Sequence, residues 1–385
     1  MTDVIIAGIG QTPVGEHWEI SLRSLAIKAM LAAIHDAGGL RPQALFVGNM
    51  LAPAISHQAH LGDLLADFAG LSGIEAVLVE ASGASGAAAL RQGYMAVASG
   101  AVDSALVVGV EKVTDYVGPE VDAALATASD SDFEAVQGVT PAALAALLMR
   151  RYMYEFNVPA DGLAGFALTA HENAVSNPNA MFQKAISAEA YRQAEIISEP
   201  LNMLDVAPNA DGAAAVLLTR SDLLPKGYAH PLVKIAGSAI ASDTLALHDR
   251  VDLLAFDAVR ISVEKALHKA GLGREQVSFF EYHDAFSIYA ALSLEAAGFA
   301  ARGQGWKMAH DGSISRTGSL PCATLGGLKA RGNPGSASGV YQAVEAATQL
   351  RGQAGTAQVA NAKVGLIQSL GGPAATAVTH VLQAV

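Results

Sequence analysis

Short, continuous apolar runs alternate along this chain with longer stretches in which apolar residues recur at helical spacing. Val4-Ile5-Ile6-Ala7-Gly8-Ile9-Gly10 reads as a buried strand. Leu22, Leu25, Ala26, Ala29 and Ala33 then fall on one face of a helix that stops at Gly38-Gly39. Ala44-Leu45-Phe46-Val47-Gly48 supplies a second strand. The same order returns later. Val233 to Ile240 reads as a strand, Leu253 to Lys269 as a helix running to Gly271, and Val277 to Glu281 as another strand.

The echo tightens further on. Gly83-Ala84-Ser85-Gly86 opens a helix ending near Gly100, and Gly335-Ser336-Ala337-Ser338-Gly339 opens one ending near Gly352. An apolar strand follows each, Ser104 to Val110 and Val364 to Ser369. Alternating strands and helices, duplicated in one chain, predict two α/β units packed as a pseudo-dimer, 1–227 and 228–385. The first unit carries an insertion, about 114–200, with helices expected over Pro141 to Glu155 and Leu163 to Ser176. A segment of that length inside a compact unit suits a substrate-covering role. Val206 to Leu218 then reads as a strand.

Composition narrows the partners. The 385 residues are 51% hydrophobic and carry a net charge of −12, with no extended basic run, so nucleic acid and an anionic membrane surface are not expected partners. A local basic patch for an anionic group remains open at Arg150, Arg151, Lys184, Lys329 and Arg331, although solvated surface charge is the plainer reading of each. Cys322 is the single cysteine, which leaves neither an internal disulfide nor a thiolate metal site. No apolar stretch reaches transmembrane length, and the first residues already read as a strand, so a cytoplasmic protein is expected.

The chemistry centres on Val79-Glu80-Ala81-Ser82-Gly83-Ala84-Ser85-Gly86. A strand-like run gives way to small residues and then to a helix, whose first N–H groups lack partners and attract negative charge. Such a turn could hold a nucleophile, yet Gly83 occupies the critical place. Other motifs fail. Gly8-Ile9-Gly10 lacks the third glycine at dinucleotide-binding spacing, and Pro13 interrupts the helix it would need. His57 and His60 have helical metal-ligand spacing but no third ligand.

Taken together, these segments resemble the thiolase superfamily, closest to its sterol-carrier-protein-X and archaeal type, over essentially the whole chain. The likeness rests on Gly48-Asn49-Met50, Val79 to Leu90, Leu106 to Lys112, Asn177-Pro178-Asn179-Ala180, Asp211-Gly212-Ala213-Ala214, His283-Asp284-Ala285-Phe286, Gly326 to Pro334 and Gly371-Gly372. The resemblance implies a five-layered αβαβα fold, a homodimer, acyl-CoA substrates with no cofactor beyond that CoA, and an insertion that helps bind CoA. It also implies, for this branch, a small OB-fold partner carrying a zinc ribbon.

Against that pattern the chain departs at the reacting positions. The family's nucleophilic Cys matches Gly83, and the His of its Gly-His-Pro matches Asn333. Its second Cys matches Ser369, or Ala285 in relatives that carry it after His-Asp; His283 agrees with the branch that uses His. No thiolate is left to take an acyl group. What the resemblance leaves is a set of oxyanion donors: His283 and Asn333 through side chains, Gly83 and Gly371 through backbone N–H groups. Tyr341 and Tyr282 are further proton-transfer candidates, and Ser82, Ser369 and Lys184 candidate substrate contacts.

Three functions fit. One is retro-aldol cleavage of a β-hydroxyacyl-CoA, which needs an enolate but no nucleophile, with His283 as base or enolate donor. Another is acyl transfer with Ser82, Cys322 or a partner chain replacing the thiol. The third is a degenerate subunit that binds acyl-CoA or scaffolds a partner. Each named residue also has a structural reading: Gly83 for backbone geometry, Asn333 as a turn residue, Tyr341 as a packed aromatic and Cys322 as a core thiol.

Overall fold

The computed structural model describes residues 3–385. Its strands, in chain order, are β1 (Val4–Gln11), β2 (Ala44–Gly48), β3 (Glu75–Val79), β4 (Ser104–Glu111), β5 (Ile196–Ser198), β6 (Leu201–Asn202), β7 (Gly212–Arg220), β8 (Val233–Ser242), β9 (Phe279–Glu281), β10 (Val364–Gly371) and β11 (Thr376–Ala384). Nine of them form one sheet in the order β3-β2-β4-β7-β1-β8-β11-β10-β9, and β5 pairs with β6. The halves of the sheet meet where Ile5 of β1 faces Lys234 of β8.

Each half repeats one pairing pattern. β2 runs parallel to β4, which is antiparallel to β7, which is antiparallel to β1. In the second half β9 runs parallel to β10, antiparallel to β11, antiparallel to β8. The duplication seen in the sequence is therefore a duplication of topology. β11, which the apolar pattern did not single out, fills the place that β7 holds in the first half.

Helices complete the layers. Leu22–Asp36 packs on β1, β7 and β4, and Asp257–Ala270 packs on β8 and β11. Between the half-sheets lie Ser85–Ser99 and Ser338–Leu350, each touching strands of both halves. The result is the expected αβαβα order. The second-half outer helix starts at Asp257 rather than Leu253, because Asp252 accepts the Leu254 N–H at 3.0 Å and turns the chain before the helix begins.

Ser338–Leu350 is buried on nearly every side, as is the start of Ser85–Ser99 from Ser85 to Leu90, which explains the small residues there. A Cβ placed on Gly339 would lie 2.5 Å from the Ala87 nitrogen, and one on Gly86 would lie 2.6 Å from the Ser336 carbonyl oxygen. The N-terminal turns of the two helices thus cross almost backbone to backbone. The Gln342 side chain, on the second central helix, donates to the Tyr282 and Gln368 carbonyls at 2.9 Å each, so its burial leaves no amide hydrogen unpaired. Because the crossing has no room for a methyl group, Gly339→Ala should lower unfolding free energy by roughly 1–3 kcal/mol. Denaturant melts followed by circular dichroism would measure it, and an unchanged midpoint would contradict the close crossing.

Candidate functional site

The crossing brings three loops to one place. The turn Ser82–Ala84 precedes the first central helix, the loop from Asn333 to Ser336 precedes the second, and Leu370 to Pro373 closes β10. Together with His283, Ala285, Phe286 and Tyr289 they surround a cavity of about 150 Å³. The rest of its wall is mostly apolar, and Asp122, Leu125, Ser129, Pro141, Ala142 and Leu144 reach it from the 114–200 segment. The insertion therefore lines the cavity. Its helices span Gly118–Ala126, Pro141–Phe156, Ala164–Ala174 and Ala188–Arg192, the second and third close to the boundaries the pattern predicts.

Gly83 lies in the wall. A Cβ added there would sit 2.8 Å from the Leu370 carbonyl oxygen and 3.8 Å from His283 Nε2. The end of β10 thus lies within contact distance of a position that carries no side chain. Ser82, just before it, holds a φ of 53°, a backbone region that non-glycine residues seldom occupy. The turn is pinned by Ser85, whose Oγ donates to the Ser82 carbonyl at 2.6 Å and accepts the Ala81 N–H at 2.9 Å.

His283 follows β9 and is fixed by its neighbour. The Asp284 carboxylate accepts the Leu328 N–H at 2.7 Å, tying this loop to the start of the helix Gly327–Arg331. Burial, reinforced by the positive charge of Arg331, pushes the His283 pKa down to about 3. The ring is neutral at physiological pH, so it is a hydrogen-bond donor or acceptor and a poor proton acceptor in a reaction. Nδ1 is buried without a partner. The tautomer that avoids an unpaired buried N–H carries its proton on Nε2, the nitrogen nearer Gly83.

Asn333 is held on three sides. Its N–H donates to the Pro208 carbonyl at 2.9 Å, its carbonyl accepts the Ala210 N–H at 3.1 Å, and its Oδ1 accepts from Ser338 Oγ at 3.1 Å. With Oδ1 engaged, the amide NH₂ is left to point a donor at the cavity. His283 and Asn333 thus offer neutral donors to one space beside Gly83.

Other sequence candidates lie elsewhere. Tyr341 is fully buried away from the cavity, its hydroxyl donating to the Thr12 carbonyl at 2.9 Å and its pKa raised by burial; it is the packed aromatic, not an acid facing substrate. Ser369 is buried, with Oγ donating to Gln342 Oε1 at 2.6 Å, and braces the central helix. Lys184 is exposed and outside the cavity wall. Gly371 pairs with Thr376 in the β10–β11 ladder, while its neighbours Leu370 and Gly372 face the cavity. Tyr282 is buried in the aromatic core against Phe166 and Phe280. Cys322 is a buried core thiol donating to the Leu320 carbonyl at 3.2 Å, too deep to serve as a displaced nucleophile.

Two lysine and arginine readings are corrected outright. Lys329 and Arg331 are buried, not solvated. Lys329 donates to the Asp205 carbonyl at 2.6 Å, and burial lowers its pKa to about 8. Arg331 pairs with Glu345 at 3.0 Å and lies over the Tyr341 ring at 4.9 Å. Both sit on the short helix Gly327–Arg331, whose burial no hydrophobic periodicity announces.

Sequence reasoning also missed Glu111, the last residue of β4. It is fully buried, lines the cavity, and burial raises its pKa to about 7. A carboxylate at the end of an otherwise apolar strand was the available signal. Among the described residues no group of three or more His, Cys, Asp or Glu side chains could hold a metal, and no helix is long and apolar enough to cross a membrane.

The depressed His283 has a stability signature. Below about pH 6.5 the unfolded chain takes up a proton on this ring that the folded protein refuses until about pH 3, so its contribution to stability is lost as pH falls through that window. His380 acts in the same direction. Between pH 6.5 and 5, His283→Asn should therefore lose about 2 kcal/mol less stability than the unaltered protein. Urea titrations at the two pH values would show it; identical losses would mean that the ring is solvated.

Residues 4–222 match the family described as thiolase, N-terminal domain, and residues 239–384 match thiolase C-terminal domain-like. The chain is 43% identical over 383 residues to an acetyl-CoA acetyltransferase of Methanothermobacter thermautotrophicus, covering 99% of each chain. It is 31% identical to the benzoylsuccinyl-CoA thiolase subunit BbsB of Thauera aromatica, covering 91% of this chain and 89% of that one. Among solved structures it is similar to the Ltp2-ChsH2(DUF35) aldolase, with a TM-score of 0.82, 25% identity, and coverage of 100% of this chain and 98% of that one. Matched in both halves, and followed by one relative over nearly its full length, this chain belongs to the thiolase family.

Proposed function

We propose that the protein cleaves a carbon–carbon bond in a β-hydroxyacyl-CoA by a retro-aldol reaction, through a CoA enolate and without an acyl-enzyme. The observation that carries the reading is the cavity itself: two neutral side-chain donors converge beside Gly83, and no thiol lines the wall. A β-hydroxyl proton leaves, the C–O bond becomes a carbonyl, and the Cα–Cβ electron pair passes to the thioester as an enolate. Protonation at Cα then releases a shorter acyl-CoA and a ketone or aldehyde. His283 and Asn333 would hold the enolate oxygen, and preorganised donors of this kind are each worth about 3 kcal/mol. The likeness to the Ltp2-ChsH2(DUF35) aldolase supports this chemistry.

The names of the more similar relatives favour acyl transfer instead. That reading needs a nucleophile, and with Cys322 buried elsewhere the candidate next to Gly83 is Ser82, with Ser336 also on the cavity wall. Incubation with a panel of β-hydroxyacyl-CoA thioesters, with and without a small OB-fold, zinc-ribbon partner, separates the two. Expected products are a carbonyl compound and a chain-shortened acyl-CoA, with kcat/KM about 100-fold lower in His283→Ala and Asn333→Ala. Radiolabelled acyl groups retained on the protein, and lost in Ser82→Ala, would favour transfer.

A homodimer is part of the same proposal. β3 ends the sheet with its outer edge unpaired, and Val77 and Leu78 on it are exposed, as is Met95 on the adjoining helix. An apolar edge strand is a template for pairing with a second copy. Val77→Lys should convert a dimer to a monomer in light scattering; an unaffected mass would place the contact elsewhere.

A further inference from the structure

We propose that Ser336 and Glu111 form a proton relay in the cavity wall that moves the proton of the carbon–carbon bond step; this rests on the lyase reading above. Once His283 is neutral and hard to protonate, the reaction still needs a group that takes the β-hydroxyl proton and returns one to Cα. Glu111 and Ser336 share the wall with Gly83, His283 and Asn333, and Ser336 lies three residues beyond Asn333 on the same loop.

Four donors hold the Glu111 carboxylate. Asn49 Nδ2 reaches Oε1 at 2.8 Å, the Leu51 N–H reaches Oε1 at 3.2 Å, and the Met50 N–H reaches Oε2 at 3.3 Å. Ser336 Oγ donates to Oε2 at 2.5 Å. Three of these are amide N–H groups, which orient the carboxylate but do not surrender protons near neutral pH. The Ser336 hydroxyl is the one donor of the four that can give its proton to Glu111 while receiving another. The loop reaches this close because Gly335 has a φ of 47°, and a Cβ there would lie 3.1 Å from Glu111 Cγ.

The electrostatic surroundings agree. Burial, not a neighbouring charge, dominates the raised affinity of Glu111 for a proton, which places it near pH 7. The other titratable groups on the cavity are His283, Asp122 and Tyr289. Lys112, next along the chain, turns away to pair with Asp115 at 2.9 Å and Asp211 at 3.2 Å.

The step balances. The β-hydroxyl proton passes to Ser336 Oγ as the Ser336 proton passes to Glu111, the Cα–Cβ bond breaks, and its electron pair enters the enolate. The reverse transfer delivers a proton to Cα and restores the Glu111 carboxylate, with no net proton change.

Deuterium uptake at Cα of propionyl-CoA in D2O tests the relay apart from cleavage. Wild-type protein should exchange the α-hydrogens at a rate that rises through a midpoint near pH 7. Ser336→Ala should slow exchange about tenfold or more, and Glu111→Gln about 100-fold with loss of the pH step. Circular dichroism confirms folding, and if the buried Gln is not tolerated the Ser336→Ala result decides. Unaltered exchange and midpoint in folded Ser336→Ala, with β-hydroxyacyl-CoA still cleaved by wild type, would overturn the relay and leave the lyase reading standing. Exchange without cleavage would support the relay and count against that reading. A wild-type protein that neither exchanges nor cleaves would overturn both, and an acylated Ser336 peptide in mass spectrometry would overturn the relay in favour of a nucleophile.

Discussion

The near-contact of two backbones in the middle layer is the constraint on which the site depends. Gly86 and Gly339 let the first turns of the central helices cross with no side chain between them. Each turn carries its preceding loop with it, so Ser82-Gly83 and the Asn333 to Ser336 loop arrive on the same cavity. Helices separated by ordinary side chains sit 8–10 Å apart.

That geometry favours neutral chemistry. Removed from water, a positive charge on His283 is costly and its pKa falls, while the same burial raises that of Glu111. The two shifts leave a ring that donates hydrogen bonds and a carboxyl group poised to gain or lose a proton. Pairs of groups pushed apart in this way mark the division between oxyanion stabiliser and proton carrier. Absence of a thiol at Gly83 fits the same pattern, since the Leu370 carbonyl oxygen lies within contact distance of that position.

Beneath the cavity a second set of buried charges holds the loops. Arg331 with Glu345, Lys329 on the Asp205 carbonyl, and Asp284 on the Leu328 N–H join the short helix Gly327–Arg331 to the second central helix, the turn after β6 and the His283 loop. Arg331 also contributes to the depression of the His283 pKa. Buried ion pairs of this kind add little net stability but penalise strongly the loss of one partner. Their effect here is positional.

Much of the fold was legible in the sequence because strands and helices announce themselves by local periodicity, and a duplicated order of such elements constrains the topology. The small residues of Gly83 to Gly86 and Gly335 to Gly339 marked the central helices for the same reason: close packing restricts composition. His283, Asn333, Ser82 and Gly83 were found because they sit in motifs. Tyr341 was placed in the site by adjacency along the chain, Ser369 by its match to the family's second Cys and Lys184 by its charge, and three-dimensional packing sends all three elsewhere. Lys329 and Arg331 looked solvated because charge ordinarily is, and only tertiary burial with partners made them internal. Glu111 could not be read as a cavity group from one carboxylate after an apolar strand, since its proton affinity is raised by burial, and the Ser336 hydroxyl that meets it lies 225 residues further along the chain. Local sequence determined the elements and their repetition; which side chains share a dry space, and so which of them can hold a charge, was decided by long-range packing.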